Sequence, residues 1–203
     1  MDKRIDRSDL TGIILAGGKS SRMGREKGLV EFRGKPLIQF EIDLLLHFTD
    51  RILISSGNPD YGSFKLEMVP DDVLGLGPAA GLASALRNSE TLWNVVLACD
   101  LPFLEPELID FLLVNTSGFQ AVIPCHDGGN EPLAGLYRRD LAEQFTNAMA
   151  SGTLAIHKIL ETVSVKYVDV SHLFVRYPLL FANFNTLQDL VTGKGKNDRT
   201  INW

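Results

Sequence analysis

Four stretches of this chain carry side chains suited to phosphate and metal chemistry. The first is Leu15-Ala16-Gly17-Gly18-Lys19-Ser20-Ser21-Arg22-Met23-Gly24-Arg25-Glu26-Lys27, directly after an apolar run. Paired glycines let backbone N–H groups come close to a ligand, through φ values closed to other residues. Those amides, with Arg22 and Lys27, could hold a triphosphate; the competing reading is a solvated basic loop. The second is Asp100, in Ala98-Cys99-Asp100-Leu101-Pro102-Phe103. A carboxylate at the end of a buried run is costly to desolvate unless something compensates it. Mg²⁺ would do so, since it takes one or two carboxylates with phosphate oxygens and water. A helix-capping or loop aspartate is the plainer alternative.

The third stretch is Val69-Pro70-Asp71-Asp72, followed by Gly77-Pro78-Ala79-Ala80-Gly81. Tight glycines ahead of a helix can abut a nucleotide, and Asp71 can accept from ribose hydroxyls or a base N–H. An ordinary turn explains the same residues. The fourth is Asn183-Phe184-Asn185-Thr186-Leu187-Gln188-Asp189. Asn183 and Asn185 share one side of an extended segment, while Thr186 and Asp189 also suit a helix cap.

Two familiar phosphate motifs do not fit. A P-loop needs G-x-x-x-x-G-K-[ST]; Gly18-Lys19-Ser20 supplies its end, but Ile13 stands at the leading position. A Rossmann fingerprint needs G-x-G-x-x-G after the first strand; Gly75, Gly77 and Gly81 give G-x-G-x-x-x-G with Pro78 inside.

The elements around these stretches alternate. Strands are expected at 11–16, 51–56, 66–69, 94–99, 120–124 and 164–170, and helices at 36–48, 78–88, 106–115, 141–152 and 154–163. Strand–helix alternation with short connections gives an α/β fold, a mainly parallel sheet with helices on both faces. Ligands of such sheets bind beyond the carboxyl ends of strands near a switch point. The residues after 11–16 and after 94–99 are therefore the first places to look. With no repeat or composition break, one domain over 1–203 is the reading, with a core of about 11–190 and a polar, loose tail at 193–203.

Composition narrows the partners. Hydrophobic residues at 45% and charged residues at 22% fit a globular chain. The net charge of −5 argues against a general nucleic-acid binder. Yet residues 19–35 hold six bases and two acids, a local +4. That concentration suits a small anionic ligand. Cys99 and Cys125 read as small buried hydrophobes of a reducing compartment, and the four histidines read as structural or surface residues. The segment MDKRIDRSDLTG lacks the apolar stretch of a signal peptide, and no apolar run approaches the ~20 residues of a membrane span. A cytoplasmic protein without nucleic-acid or membrane partners is expected.

Taken together the motifs resemble those of the molybdenum cofactor guanylyltransferases. The opening matches L-A-G-G-x-S-x-R-M-G-x-[DE]-K. G-K-P-L-I (34–38), P-D (70–71), G-P-x-x-G (77–81), C-D-L-P-F-L (99–104), E-P-L-A-G-L-Y (131–137) and N-F-N-T-x-x-D-L (183–190) follow in the family's order, over roughly 11–190. The resemblance implies a Rossmann-like nucleotidyltransferase fold and transfer of GMP from GTP to the phosphate of molybdopterin, with Mg²⁺ as cofactor and pyrophosphate released. It implies that Leu15, Ala16, Gly17 and Gly18 line the nucleotide site, that Lys27 and Arg22 meet phosphates, that Asp71 contacts the nucleoside, that Asp100 holds the metal, and that Asn183 and Asn185 lie toward the acceptor or the metal. Its implied partners are GTP, molybdopterin or the molybdenum-loaded cofactor, an upstream molybdenum-insertion protein and acceptor molybdoenzymes.

The chain departs from the family pattern at Leu187, where proline is usual, and at Ala79, where leucine is usual. Ser55, Ser56 and Asn58 compete for the place of a guanine-side asparagine. A relative that transfers CMP from CTP is the near rival; its opening is usually L-A-A-G, and Gly18 here favours guanine. A sugar- or polyol-phosphate nucleotidyltransferase and a non-catalytic nucleotide-binding protein of the same fold are further alternatives.

Overall fold

The apolar runs at 10–15, 52–55 and 93–98 are buried along their whole length, as strands covered on both faces must be. The computed structural model describes residues 5–17, 26–70 and 77–184. In chain order the elements are β1 (Leu10–Leu15), β2 (Glu31–Phe32), β3 (Lys35–Pro36), α1 (Leu37–Leu45), β4 (Ile52–Ser55), β5 (Glu67–Val69), α2 (Pro78–Asn88), β6 (Trp93–Ala98), α3 (Pro106–Leu113), β7 (Ala121–His126), β8 (Gly129–Asn130), β9 (Ala134–Arg138), α4 (Leu141–Ala150), α5 (Ile156–Leu160) and β10 (Val165–Asp169).

The sheet runs β10-β7-β9-β6-β1-β4-β5, with β8 paired to β7. β1 pairs in parallel with both β4 and β6, β4 with β5, and β7 with β10. β9 runs against both its neighbours, β6 and β7. The expected α/β architecture is thus present, with one antiparallel insertion, β9, that lies outside the expected strands. Gly135 explains the faint signal. It sits inside β9, and a Cβ there would come within 2.8 Å of Ile123 Cδ1 and 3.0 Å of the Val122 carbonyl oxygen. Close packing of the sheet, not a residue pattern, holds this strand.

The pleat sends alternate residues into two cores. Ile14, Val95 and Leu97 pack with Ile38, Ile42 and Leu45 of α1 and Leu108, Ile109 and Leu112 of α3. Ile13, Leu15 and Val96 pack on the other face with Leu82 and Leu86 of α2, Phe145 of α4 and Ile159 of α5. Helices therefore cover both faces. The connections make β1 the turning point of the chain order. From β1 the chain steps to β4 and β5, then returns through α2 to β6 on β1's other side. A crevice between β1 and β6 follows at their carboxyl ends, where such sheets bind ligands.

The helix expected at 36–48 is shorter, because Pro36 belongs to β3 and the helix ends at Leu45. The helix at 78–88 has the expected bounds. Gly77 precedes it with φ +75°, a value that favours glycine, and Pro78 takes the first helical position, where its missing N–H costs nothing. The expected helix at 154–163 is regular only over Ile156–Leu160. The tail at 193–203 lies outside the described residues.

Candidate nucleotide and metal site

Register brings the ends of three strands level. Leu15 pairs with Ser55 on one side and with Ala98 on the other. Beyond that level the pairing continues: Ala16 N–H donates to the Ser55 carbonyl at 3.0 Å and Cys99 N–H to the Leu15 carbonyl at 3.2 Å. Leu15, Ala16 and Gly17 therefore leave the sheet in the crevice, with Asp100 two residues past the end of β6. Ser56 N–H donates to the Val69 carbonyl at 3.0 Å, so the chain heading for Asp71 emerges at the same end. The amino end of α2 opens there too, since α2 carries the chain back from that end of β5 to the start of the parallel β6. Helix amino termini favour anions.

Lys27 and Asp100 meet. The Lys27 ammonium donates to Asp100 Oδ2, with 21% of the lysine side chain and 12% of the aspartate side chain exposed. Lys27 opens a short 3₁₀ turn, Lys27–Leu29. The next residue, Gly28, fixes its distance from the strand end. A Cβ on Gly28 would stand 2.8 Å from the Tyr61 hydroxyl and 3.2 Å from Cys99 Cβ. Only glycine lets this turn lie against Cys99 and set Lys27 beside Asp100.

Two further contacts hold the loop after β6. Phe32 of β2 packs against Phe103 at 5.9 Å and Phe184 at 4.6 Å between ring centroids, and Phe103 packs against Phe184 at 5.7 Å. The β2–β3 hairpin, the Asp100 loop and the 181–184 segment are thereby joined. From below, Glu41 of α1 is 1% exposed, and its Oε1 accepts the Leu101 N–H at 3.0 Å. Burial, with the Asp100 charge adding to it, pushes the Glu41 carboxyl well above the usual carboxylate range. Burial also pushes the Cys99 thiol up, with Asp100 and Glu41 adding to the rise.

The structure brings together Leu15, Ala16, Gly17, Lys27 and Asp100. Asn183 lies half-buried between Phe181 and Phe184, on the segment tied to the Asp100 loop. Gly18, Arg22, Asp71 and Asn185 lie outside the described residues. Glu41 was missed, although its sequence signal is plain. It stands four residues after Leu37 and four before Leu45, an acid on the apolar stripe of a helix. The histidines form no cluster among themselves, but His126 is engaged with Glu131 at 3.1 Å rather than idle. Cys99 is buried as expected; Cys125 is only half-buried.

The donor set suits Mg²⁺ held largely by its substrate. Among the described residues no group of three or more His, Cys, Asp or Glu side chains could enclose a metal. Asp100 offers one carboxylate at a ligand crevice, which fits an ion that completes its shell with phosphate oxygens and water. No helix among the described residues is long and apolar enough to cross a membrane.

Comparison with known proteins agrees with this fold. The MobA-like NTP transferase domain matches residues 12–167. A probable molybdenum cofactor guanylyltransferase of Flavobacterium johnsoniae is 34% identical over 162 residues, 79% of this chain and 85% of its own length. One of Pelotomaculum thermopropionicum is 31% identical over 195 residues, 94% of this chain and 95% of its own. The crystal structure of molybdopterin-guanine dinucleotide biosynthesis protein A from Archaeoglobus fulgidus superposes with a TM-score of 0.76 at 30% identity, over 91% of this chain and 96% of that one.

Proposed function

This chain belongs to the MobA-like NTP transferase family, and on that premise we propose that it transfers GMP from GTP to the terminal phosphate of molybdopterin. An acceptor phosphate oxygen attacks the α-phosphorus, a new P–O–P link forms, the bond from the α-phosphorus to the β-bridging oxygen breaks, and pyrophosphate leaves. The nucleophile is already an anion, so no side chain need remove a proton. Catalysis reduces to positioning and to stabilising negative charge.

The observation that carries this reading is the Lys27–Asp100 pair at the crevice between β1 and β6. On this reading Lys27 would meet the triphosphate and Asp100 would hold Mg²⁺. When bound, that ion supplies positive charge at the α-phosphate and at the departing pyrophosphate. Leu15, Ala16, Gly17 and Gly18 present backbone to the nucleotide, Arg22 is a second phosphate ligand, and Asp71 contacts the nucleoside. Asn183 and Asn185 would lie toward the acceptor or the metal. A cytoplasmic setting, with a molybdenum-insertion protein upstream and molybdoenzymes downstream, goes with the same reading.

Thermal stabilisation by GTP, CTP, ATP and UTP, each with Mg²⁺, tests the nucleotide assignment. A ligand at 100 times its Kd adds about 2.7 kcal/mol. For a chain of this size that raises Tm by roughly 5–10 °C. The shift is expected with GTP. A shift with CTP alone would move the assignment to CMP transfer, and no shift with any would leave a fold without this activity.

A further inference from the structure

On the side of Asp100 away from β4 and β5, the same end of the sheet carries a second built arrangement. β6 and β7 both run against β9, so they point the same way, and His126 at the end of β7 faces the same rim as Asp100. Gly128 N–H donates to His126 Nδ1 at 2.9 Å, and Nε2 lies 3.1 Å from Glu131 Oε1. A ring nitrogen that accepts a backbone N–H carries no proton, so Nε2 bears it and donates to Glu131. The ring stacks on Phe181 with centroids 5.4 Å apart and planes 8° apart, and Phe174 lies at 4.9 Å. A side chain on Gly128 would collide with the ring. Every edge of His126 is thus used to aim one carboxylate, which is still 27% exposed. Burial pushes the Glu131 carboxyl upward, and the His126 hydrogen bond works the other way, favouring the ionised form.

This pair and the Asp100 loop are linked by a short span. Phe181 lies on His126, while Phe184 lies on Phe103, three residues after Asp100. Three residues of chain reach at most about 10–11 Å. The proposed donor contacts run from the Lys27–Asp100 pair at the ends of β1 and β6 toward Asp71, which follows β5 in the chain. The acceptor must therefore come from the β9 and β7 side if its phosphate is to meet the α-phosphorus opposite the leaving group.

We propose that Glu131, oriented by His126, is the recognition carboxylate for the heterocycle of the acceptor. It accepts from two adjacent, coplanar N–H donors, the 2-amino group and ring N3–H of a pterin-type ring. The inference rests on the reading above that the acceptor is a pterin phosphate. An ionised carboxylate only accepts hydrogen bonds, and its His126 bond uses one of roughly four lone-pair positions. It is therefore matched to a pair of donors and repels a carbonyl in the same place. Asn183, on the span between Phe181 and Phe184, falls between this subsite and the phosphate end.

The test uses the full chain with GTP and Mg²⁺ and two fluorescent probes. They are free pterin and lumazine, in which a carbonyl replaces the 2-amino group. Wild type is expected to bind pterin tighter than lumazine by about 10-fold or more. Glu131→Gln, which can still meet His126 and keep the turn, is expected to lose most of that preference while its GTP affinity stays within about twofold. Unchanged preference in the variant, absence of preference in wild type, or a parallel loss of GTP affinity in the variant would each overturn the assignment. A separate assay of GMP transfer keeps the two readings apart. Wild type that prefers pterin but transfers no GMP would sink the transfer reaction and leave the role of Glu131 standing.

Discussion

Lys27 and Asp100 stand 73 residues apart in the chain and share a hydrogen-bonded ion pair at the carboxyl end of the sheet. Each compensates a charge that its partly buried position would otherwise make costly. On the reading proposed above, the pair holds the two charges that phosphate transfer would use, one for the triphosphate and one for a metal.

Asp100→Asn should therefore fold normally and lose turnover by about 100-fold or more, the usual cost of deleting one preorganised electrostatic contact. Steady-state pyrophosphate release, with circular dichroism as the folding control, checks it. Near wild-type turnover would contradict the metal assignment. Lys27→Ala should weaken GTP by about 1.5–3 kcal/mol, roughly 10–100-fold in Kd, and guanosine by far less. Equal losses in calorimetric titrations would mean that Lys27 does not touch phosphate.

Gly28 sets the spacing of this pair. Gly28→Ala places a methyl 2.8 Å from the Tyr61 hydroxyl and should cost about 1–3 kcal/mol, with a fall in kcat as Lys27 is pushed off Asp100. Tyr61→Phe removes the closest atom. In a double-mutant cycle, adding Tyr61→Phe to Gly28→Ala should therefore recover part of both losses. Strict additivity would show that the clash is relieved elsewhere.

Glu41 separates a hydrogen bond from a charge. Glu41→Ala leaves the buried Leu101 N–H without its acceptor and should cost about 1–3 kcal/mol for that group alone. Glu41→Gln keeps an acceptor oxygen and removes the acid. The folded-state pKa of Glu41 is raised, so wild type keeps its full stability below the ordinary carboxyl pKa of about 4.3 and loses some as pH climbs through the raised value. The Gln variant escapes that loss. Its Tm relative to wild type should rise between pH 4 and pH 8, and a flat difference would show that the carboxyl is not held protonated.

Cys99 is buried and its thiol is pushed up by burial and by the Asp100 and Glu41 charges. Thiolate is the reactive form. Disulfide-reagent titration of native protein at pH 8 should leave Cys99 protected and modify it only on unfolding, with Cys125→Ser used to isolate the signal. Rapid modification of Cys99 in the native state would contradict the packing of Gly28 against it.

Much of this arrangement was legible from residue patterns. Runs such as 11–16 and 94–99 announce buried strands, and Gly77-Pro78 marks the start of α2 on conformational grounds alone. Lys27 and Asp100 stood out separately by type and place. Their contact did not, because it depends on parallel pairing between strands far apart in sequence. β9 escaped notice because its central Gly135 is there for close packing and breaks the apolar period. Glu41 was readable as an acid on an apolar stripe, whereas the His126–Glu131 pairing depends on a turn closed by Gly128, which no periodicity reveals.

Guanylyl transfer is decided by identifying the product. The purified chain is incubated with Mg²⁺, molybdopterin and either GTP or CTP, with and without chelator. The guanine dinucleotide, formed with one pyrophosphate released per molecule, is expected only with GTP and only with the metal present. Formation of the cytosine dinucleotide instead, or no dinucleotide with either nucleotide, would contradict it.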